Sequence, residues 1–373
     1  MRFHIAGSAD TDIDLSLLSY AHQLVKQLSR KILSEGGGLV ITVGPDPVHQ
    51  IEPSLPIIFD WTILEALDEC QKLNLITWPE AQGAPVVAVG LPKWKEKIPD
   101  RRIELWERLE SSDNLQLVQV DSELGVGGIL REKQASFGDI LITLGGGPGV
   151  NHFVELYLNK KRPVIPLDLP LKKDRLSASE KLSIKAMENP NTFFKCQSTK
   201  DSTRAFSRLT LKKQIEIDEF EKRFFNFISR LSKPKAFYVR LLNKDVPEFE
   251  DIENYFRNIV DVVIETSGYE RFESGLDPSE EPFLNEEIFK NLHYSSLAVV
   301  DLTGIRSNCC LELGYSLGQK KKVILMAKKG TKLPFDTKMI PCHFWSVDEE
   351  NSKRIKNLIE FMEHNINRKP LVS

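Results

Sequence analysis

The sequence predicts an α/β protein in which two parallel-sheet domains are joined by a helical connector. Three observations carry that expectation. Short runs rich in Val, Ile and Leu alternate with segments of helical apolar spacing up to residue 167, and again from residue 236. Several runs end in glycine or an acid followed by a loop and a helix, as strands of a parallel sheet do. Between the two regions, residues 172–232 carry helix signals and no strand signal. The expected division is 1–171, 172–232 and 233–373.

Each element follows from its local pattern. Residues 3–6 form a strand closed by Gly7 and Ser8. Ala21, Leu24, Val25, Leu28 and Ile32 then repeat at three and four, and Gly36-Gly37-Gly38 stops that helix. Strands are expected at 39–43, 86–90, 115–120, 139–144 and 163–167, with helices at 57–74, 101–110, 129–137 and 151–158. In the middle region, Ser177-Ala178-Ser179-Glu180 has the form of a helix start, and 211–231 is a charged amphipathic helix. Beyond Ser232-Lys233-Pro234, strands are expected at 236–242, 260–265, 297–301 and 323–327, with helices near 248–258, 284–292, 308–318 and 350–365. The result is two Rossmann-like domains without a sequence repeat between them.

Composition narrows the function. The 373 residues suffice for two domains, and 41% hydrophobic with 28% charged residues is ordinary for a globular chain. A net charge of -3 gives no reason to expect a nucleic-acid or membrane-surface partner. Cys70, Cys196, Cys309, Cys310 and Cys342 lack paired spacing, so neither a disulfide framework nor a metal site is expected. A reducing, cytoplasmic compartment follows. No run approaches the roughly 20 apolar residues that span a bilayer, and the N-terminus reads as a strand, not a secretion signal.

Two places carry chemistry. Gly145-Gly146-Gly147-Pro148-Gly149 lies between a buried strand and a helix, with Gly7 and Ser8 expected at the same sheet edge. Glycines there let backbone amides approach a phosphate, and a helix N-terminus adds partial positive charge. No Lys-Ser or Lys-Thr follows, so this is not a Walker A loop, and the dinucleotide fingerprint is absent too. The second place is the strand ending in Asp301, a short loop, and a helix carrying Asn308 and Glu312. A carboxylate near C1′ of a ribose can stabilise the positive charge that builds as a C1′–N bond breaks, or attack that carbon. The helix dipole is expected to keep Glu312 ionised. Asn308 either shares its face or caps the helix, and Asp301 binds a ribose hydroxyl or braces the loop. Arg306 is a candidate phosphate clamp, while Tyr315 and Phe335 are candidates to stack on a base. Gly314 and Gly318 are expected to let the helix approach the sheet closely.

Residues 1 to about 170 resemble a SLOG domain, the superfamily that includes LOG-type nucleotide phosphoribohydrolases and nucleotide-sensing domains. The likeness rests on Gly7-Ser8, Gly36-Gly37-Gly38, and the stretch from Asp139 to Gly149 followed by Arg162-Pro163-Val164. LOG enzymes carry Pro-Gly-Gly-x-Gly-Thr-x-x-Glu. Here Gly145 stands for the Pro, Val150 for the Thr and Phe153 for the Glu, with Glu155 two positions late; Arg131 and Lys133 are out of register with the family's Arg-Lys. The resemblance implies a nucleotide-derived ligand, and the missing Glu speaks against hydrolysis there.

Residues 235 to about 348 resemble the nucleoside 2-deoxyribosyltransferase-like and TIR-like group, through Asp301-Leu302-Thr303, Asn308, Glu312-Leu313-Gly314-Tyr315, Val323-Ile324-Leu325 and Leu333-Pro334-Phe335-Asp336. That likeness implies Glu312 as the catalytic acid of N-glycosidic cleavage, with NAD+ or another nucleotide as substrate and no separate cofactor. The pairing of domains resembles prokaryotic antiphage and nucleotide-signalling proteins and implies a homo-oligomer. Two other readings stay open: a non-catalytic pair of nucleotide-binding modules, and a phosphoribohydrolase seated in the first domain.

Overall fold

Two all-parallel sheets organise the chain. The computed structural model describes residues 1–50, 52, 54–78, 83–120, 126–196, 199–231, 233–272, 284–334, 337 and 340–366. The chain divides into two units, Met1–Ser232 and Lys233–Ser373.

In the first unit, β1 (Arg2–Ser8), β2 (Gly38–Val43), β3 (Val86–Gly90), β4 (Leu115–Gln119), β5 (Ile140–Gly145) and β6 (Val164–Leu167) lie in the order β4-β3-β2-β1-β5-β6. β2, β3 and β5 are buried almost throughout, which is why they read as continuous apolar runs. Helices α1 (Leu15–Ser34), α2 (Asp60–Lys72), α3 (Asp100–Glu110), α4 (Val126–Phe137) and α5 (Pro148–Asn159) flank the sheet. Asp14 caps α1 by accepting from the amides of Ser16 and Leu17, and Gly36, at φ +76°, turns the chain out of it.

The segment expected as a connector packs into this unit. It folds into α6 (Ala178–Glu188), α7 (Pro190–Phe193), α8 (Thr199–Ser207) and α9 (Ile217–Ser229). Leu182, Phe193, Phe206, Phe220, Phe224 and Phe227 share one core with the sheet. Helices with such wide apolar stripes need a surface to cover: β5 and β6 supply it for α6, and α1 supplies it for α9. Ser177 and Glu180 make the expected capping box. The Ser179 hydroxyl then lies 2.7 Å from the carbonyl oxygens of Thr143 and Leu167, which pins α6 to the ends of β5 and β6.

In the second unit, β7 (Lys235–Val239), β8 (Glu270–Phe272), β9 (Leu297–Asp301), β10 (Lys322–Lys328) and β11 (Cys342–Trp345) take the order β11-β10-β9-β7-β8. Alternate residues of β7 feed opposite faces. Ala236 and Tyr238 join α10 (Phe249–Tyr255), α11 (Asp261–Thr266) and α14 (Asn351–Asn365); Phe237 and Val239 join α12 (Leu284–Tyr294) and α13 (Ser307–Gly318).

One expected strand is a helix. Residues 260–265 continue α10 through a π-helical turn, Phe256–Val260, into α11. Ile252, Tyr255, Phe256, Ile259, Val260, Val263 and Ile264 are all buried, a three-and-four repeat, while Val262 is exposed. The packing period therefore overrides the β preference of the local Val-Ile run. The strand that pairs with β7 on the side away from β9 is the short edge strand β8. Among the described residues, no helix is long and apolar enough to cross a membrane.

Candidate functional sites

Each sheet has one point where strand order reverses, and in doubly wound folds ligands bind outside the carboxyl ends of the strands there. In the first unit the reversal falls between β1 and β5, where Gly7 pairs with Leu144 and Ser8 with Gly145. Gly7, Ser8, Gly145, Gly146, Gly147 and Gly149 are thus brought together as expected from the sequence. Two of these glycines are required by backbone shape. Gly145 and Gly146 have φ of +67° and +72°, and the Gly146 amide donates to the Ser8 carbonyl at 2.7 Å. Gly147 is the N-cap of α5 with no side chain capping it, and the space a Cβ would occupy on it is open. Arg131, on α4, lies beside Gly149 and donates from Nε to His152 Nδ1 at 2.8 Å. A guanidinium and an uncapped helix N-terminus therefore stand together, which suits an anion.

The Glu of the LOG pattern has no counterpart in this cradle. Phe153 stands where LOG enzymes have their Glu, and its ring meets His4 edge-on with centroids 4.5 Å apart. His4 is buried, its pKa lowered to about 3 by desolvation, with Nδ1 3.2 Å from the Tyr157 hydroxyl. That place holds packing.

In the second unit the reversal falls between β7 and β9. Asp301 ends β9 there, but it is sealed. One oxygen accepts from the Thr303 amide at 2.8 Å and the other from Trp345 Nε1 at 2.8 Å. Burial raises its pKa and these donors oppose the rise. Thr303 Oγ1 in turn accepts from the Lys328 amide at 2.8 Å. Asp301 is thus a brace that ties the β9 loop to β10 and β11, the second of the two roles expected of it, and the sealed carboxylate is not open to a ribose.

The loop carries strain. Gly304 has φ +72°, and Ile305 follows at φ +41°, which is unfavourable for a β-branched residue. A Cβ on Gly304 would lie 3.7 Å from the Glu248 carboxyl carbon and 3.9 Å from Arg306 Nε, so these two side chains flank the loop. Arg306 Nε is buried without a hydrogen-bond partner.

α13 then begins at Ser307 with Arg306 as its N-cap. Asn308 lies inside the helix and exposed, so it shares a face with Glu312 one turn on. Glu312 is half-buried, and no hydrogen bond or ion pair engages its carboxylate among the described residues. Desolvation raises its pKa to about 7. The expectation that the helix dipole holds this acid ionised is therefore reversed: Glu312 sits mid-helix, and burial outweighs the dipole. The Cys309 thiol is pushed up to about 12 by burial and then by neighbouring charges, Glu312 first, which makes it a poor nucleophile.

Tyr315 lies one turn further along. Its hydroxyl is 2.9 Å from His293 Nδ1, its ring meets Phe289 edge-on at 5.0 Å, and the two rings line a shallow apolar groove with Leu311 and Gly314. Gly314 and Gly318 face open space, so the expected close approach to the sheet is corrected too. Phe335 lies outside the described residues. Sequence reasoning missed Glu248 and Trp345; they reach the site from 53 residues before and 44 after Asp301, with no local signal.

Residues 1–228 match the family model described as ATP nucleosidase Cap17-like, N-terminal. ATP nucleosidase Cap17 of Escherichia coli strain KTE188 is 28% identical over 174 residues, which is 45% of this chain and only 32% of that relative. Among solved structures, DNA processing protein A of Helicobacter pylori is similar at 11% identity and TM-score 0.34, over 61% of this chain and 80% of that one. The Chlamydomonas reinhardtii molybdenum cofactor carrier protein is similar at 18% and TM-score 0.28, over 56% and 96%. A CMP N-glycosidase from Clostridium botulinum is similar at 16% and TM-score 0.22, over 33% and 97%. The family model alone spans well over half the chain, and the chain belongs to the Cap17-like N-terminal ATP nucleosidase family.

Proposed function

We propose that the protein is a nucleotide-responsive N-glycosidase: the glycine cradle of the first unit binds a nucleotide-derived ligand, and Glu312 of the second unit acts on the substrate. The observation that carries this reading is a half-buried carboxyl with no partner among the described residues, on the helix that follows the strand-order reversal, on a face shared with Asn308. A carboxylate in that state is free to face a cation. As the C1′–N bond breaks, its electron pair leaves with the base and positive charge spreads over C1′ and the ring oxygen. Glu312 stabilises that charge or bonds to C1′, and water completes the hydrolysis. Asn308 is placed to orient a ribose hydroxyl. Arg306, with an unsatisfied Nε, is placed to hold a phosphate, which favours a nucleotide over a nucleoside.

NAD+ is the first substrate to test, because its nicotinamide leaves as a neutral base and needs no proton. ATP is the second, on the family's name. The likeness of the second unit to TIR-like and deoxyribosyltransferase-like domains supports the same chemistry, and with it a role in antiphage defence. A different reading is favoured by one observation: the family match ends at residue 228, so a nucleosidase site in the first unit would lie wholly within it. Release of nicotinamide or adenine, followed by chromatography for wild type, Glu312→Gln and Gly147→Asp, separates the two. Turnover abolished by Glu312→Gln supports the second-unit site. Turnover that survives Glu312→Gln and dies with Gly147→Asp overturns it.

A further inference from the structure

The first unit carries a cluster that the glycine cradle does not use. Among the described residues, Arg204, Arg208 and Arg230 surround one recess together with Ala205. All three arginines are exposed. Among the described residues, no carboxylate pairs with any of them. Arg230 donates from Nε to Asn226 Oδ1 at 2.8 Å, and nearby Arg223, whose Nη1 reaches the Arg208 carbonyl, is already paired with Glu219. Like charges gathered with no paired carboxylate among the described residues repel one another, so a chain with net charge -3 has no general reason to assemble them.

Local structure explains how the cluster is held. Arg204 lies in the last turn of α8, and Arg230 is the C-cap residue of α9. The negative ends of two helix dipoles thus converge on the recess and offset part of the repulsion. The helix ends do not use up the donors: among the described residues, none of the three guanidiniums donates to a terminal carbonyl of α8 or α9. Three planar forks with free N–H groups around a small alanine floor match the tetrahedral oxygens of phosphate, which accept such forks in pairs.

We propose that this recess binds a short phosphate chain, either free polyphosphate or the tail of a nucleotide, at a site separate from the glycine cradle. A single compact recess on an acidic protein favours a small anion over a nucleic acid, which would need a basic track along several phosphates. The site does not depend on the chemistry assigned to Glu312.

Titration calorimetry of the full chain with sodium tripolyphosphate, ATP and adenosine tests it. Wild type is expected to bind tripolyphosphate, more weakly as salt rises. Arg208→Ala with Arg230→Ala should weaken that binding by about tenfold or more. Arg208→Lys keeps the charge but loses the fork, and should fall between. ATP binding more tightly than tripolyphosphate, with the same arginine dependence, identifies a nucleotide tail; equal affinities identify the free chain. Adenosine should bind independently of the arginines. The three positions are exposed, so the variants should retain the wild-type circular dichroism spectrum. Tripolyphosphate that fails to bind wild type, or binds the folded triple variant Arg204→Ala/Arg208→Ala/Arg230→Ala as tightly as wild type, overturns the proposal.

Discussion

If Glu312 works as an anion, the pH dependence of turnover reports its environment. Desolvation raises its pKa from 4.5 to about 7. At pH 6 about one tenth of the sites are then ionised, at pH 7 about half, and at pH 8 about nine tenths. With NAD+ as substrate, kcat/KM should therefore climb about tenfold between pH 6 and pH 8 and level off above that. The assay is nicotinamide release at low substrate, with buffers of constant ionic strength. The same shift has a consequence for stability with a definite sign. The folded pKa lies above the unfolded one, so Glu312 costs nothing below pH 4.5, and its burial penalty grows as pH rises through about 7. Glu312→Gln should melt at a higher temperature than wild type at pH 8 and no higher at pH 4.5. A flat rate profile from pH 5.5 to 8.5 in an active preparation would refute the assignment of this acid. A rate that falls with pH would mean that Glu312 donates a proton, as departure of adenine requires.

Trp345→Phe keeps a ring to stack on Tyr255 but leaves one oxygen of buried Asp301 without its donor; urea denaturation should show a loss of about 1–3 kcal/mol. Gly7→Ala would place a Cβ 1.8 Å from the Leu144 carbonyl oxygen and should cost about 3 kcal/mol or prevent folding of the first unit, whereas Gly147→Ala, in open space, should stay within about 0.5 kcal/mol of wild type by thermal melting. Ile305→Asn should gain about 0.5–1 kcal/mol in urea, because Asn tolerates the left-handed conformation and Ile305 is 38% exposed.

Where a side chain's job is set by its near neighbours in the chain, the sequence was readable. The glycines after β5, the capping box at Ser177 and the acid at the end of β9 all lie where local pattern puts them. Failures arose where distant packing decides. Val260 to Glu265 looks like a strand until Ile252, Tyr255 and Phe256 are counted with it, and the run then shows a helical period. The helices of residues 172–232 could be recognised, but not the surface they cover. Asp301 was visible as an acid at a strand end, yet its role depends on an indole 44 residues later. Glu312 stands on the helix where local pattern puts it, but its ionisation was misjudged, because the dipole is a local property and burial is not.

The bond from Trp345 to Asp301 has a practical outcome for anyone shortening this chain. The indole comes from the last strand, so a truncation ahead of β11 removes a distant clasp on the loop that leads into α13. Such a fragment would keep every residue proposed to touch substrate and still lose the posture that aims them. Inactivity in it would then say nothing about those residues.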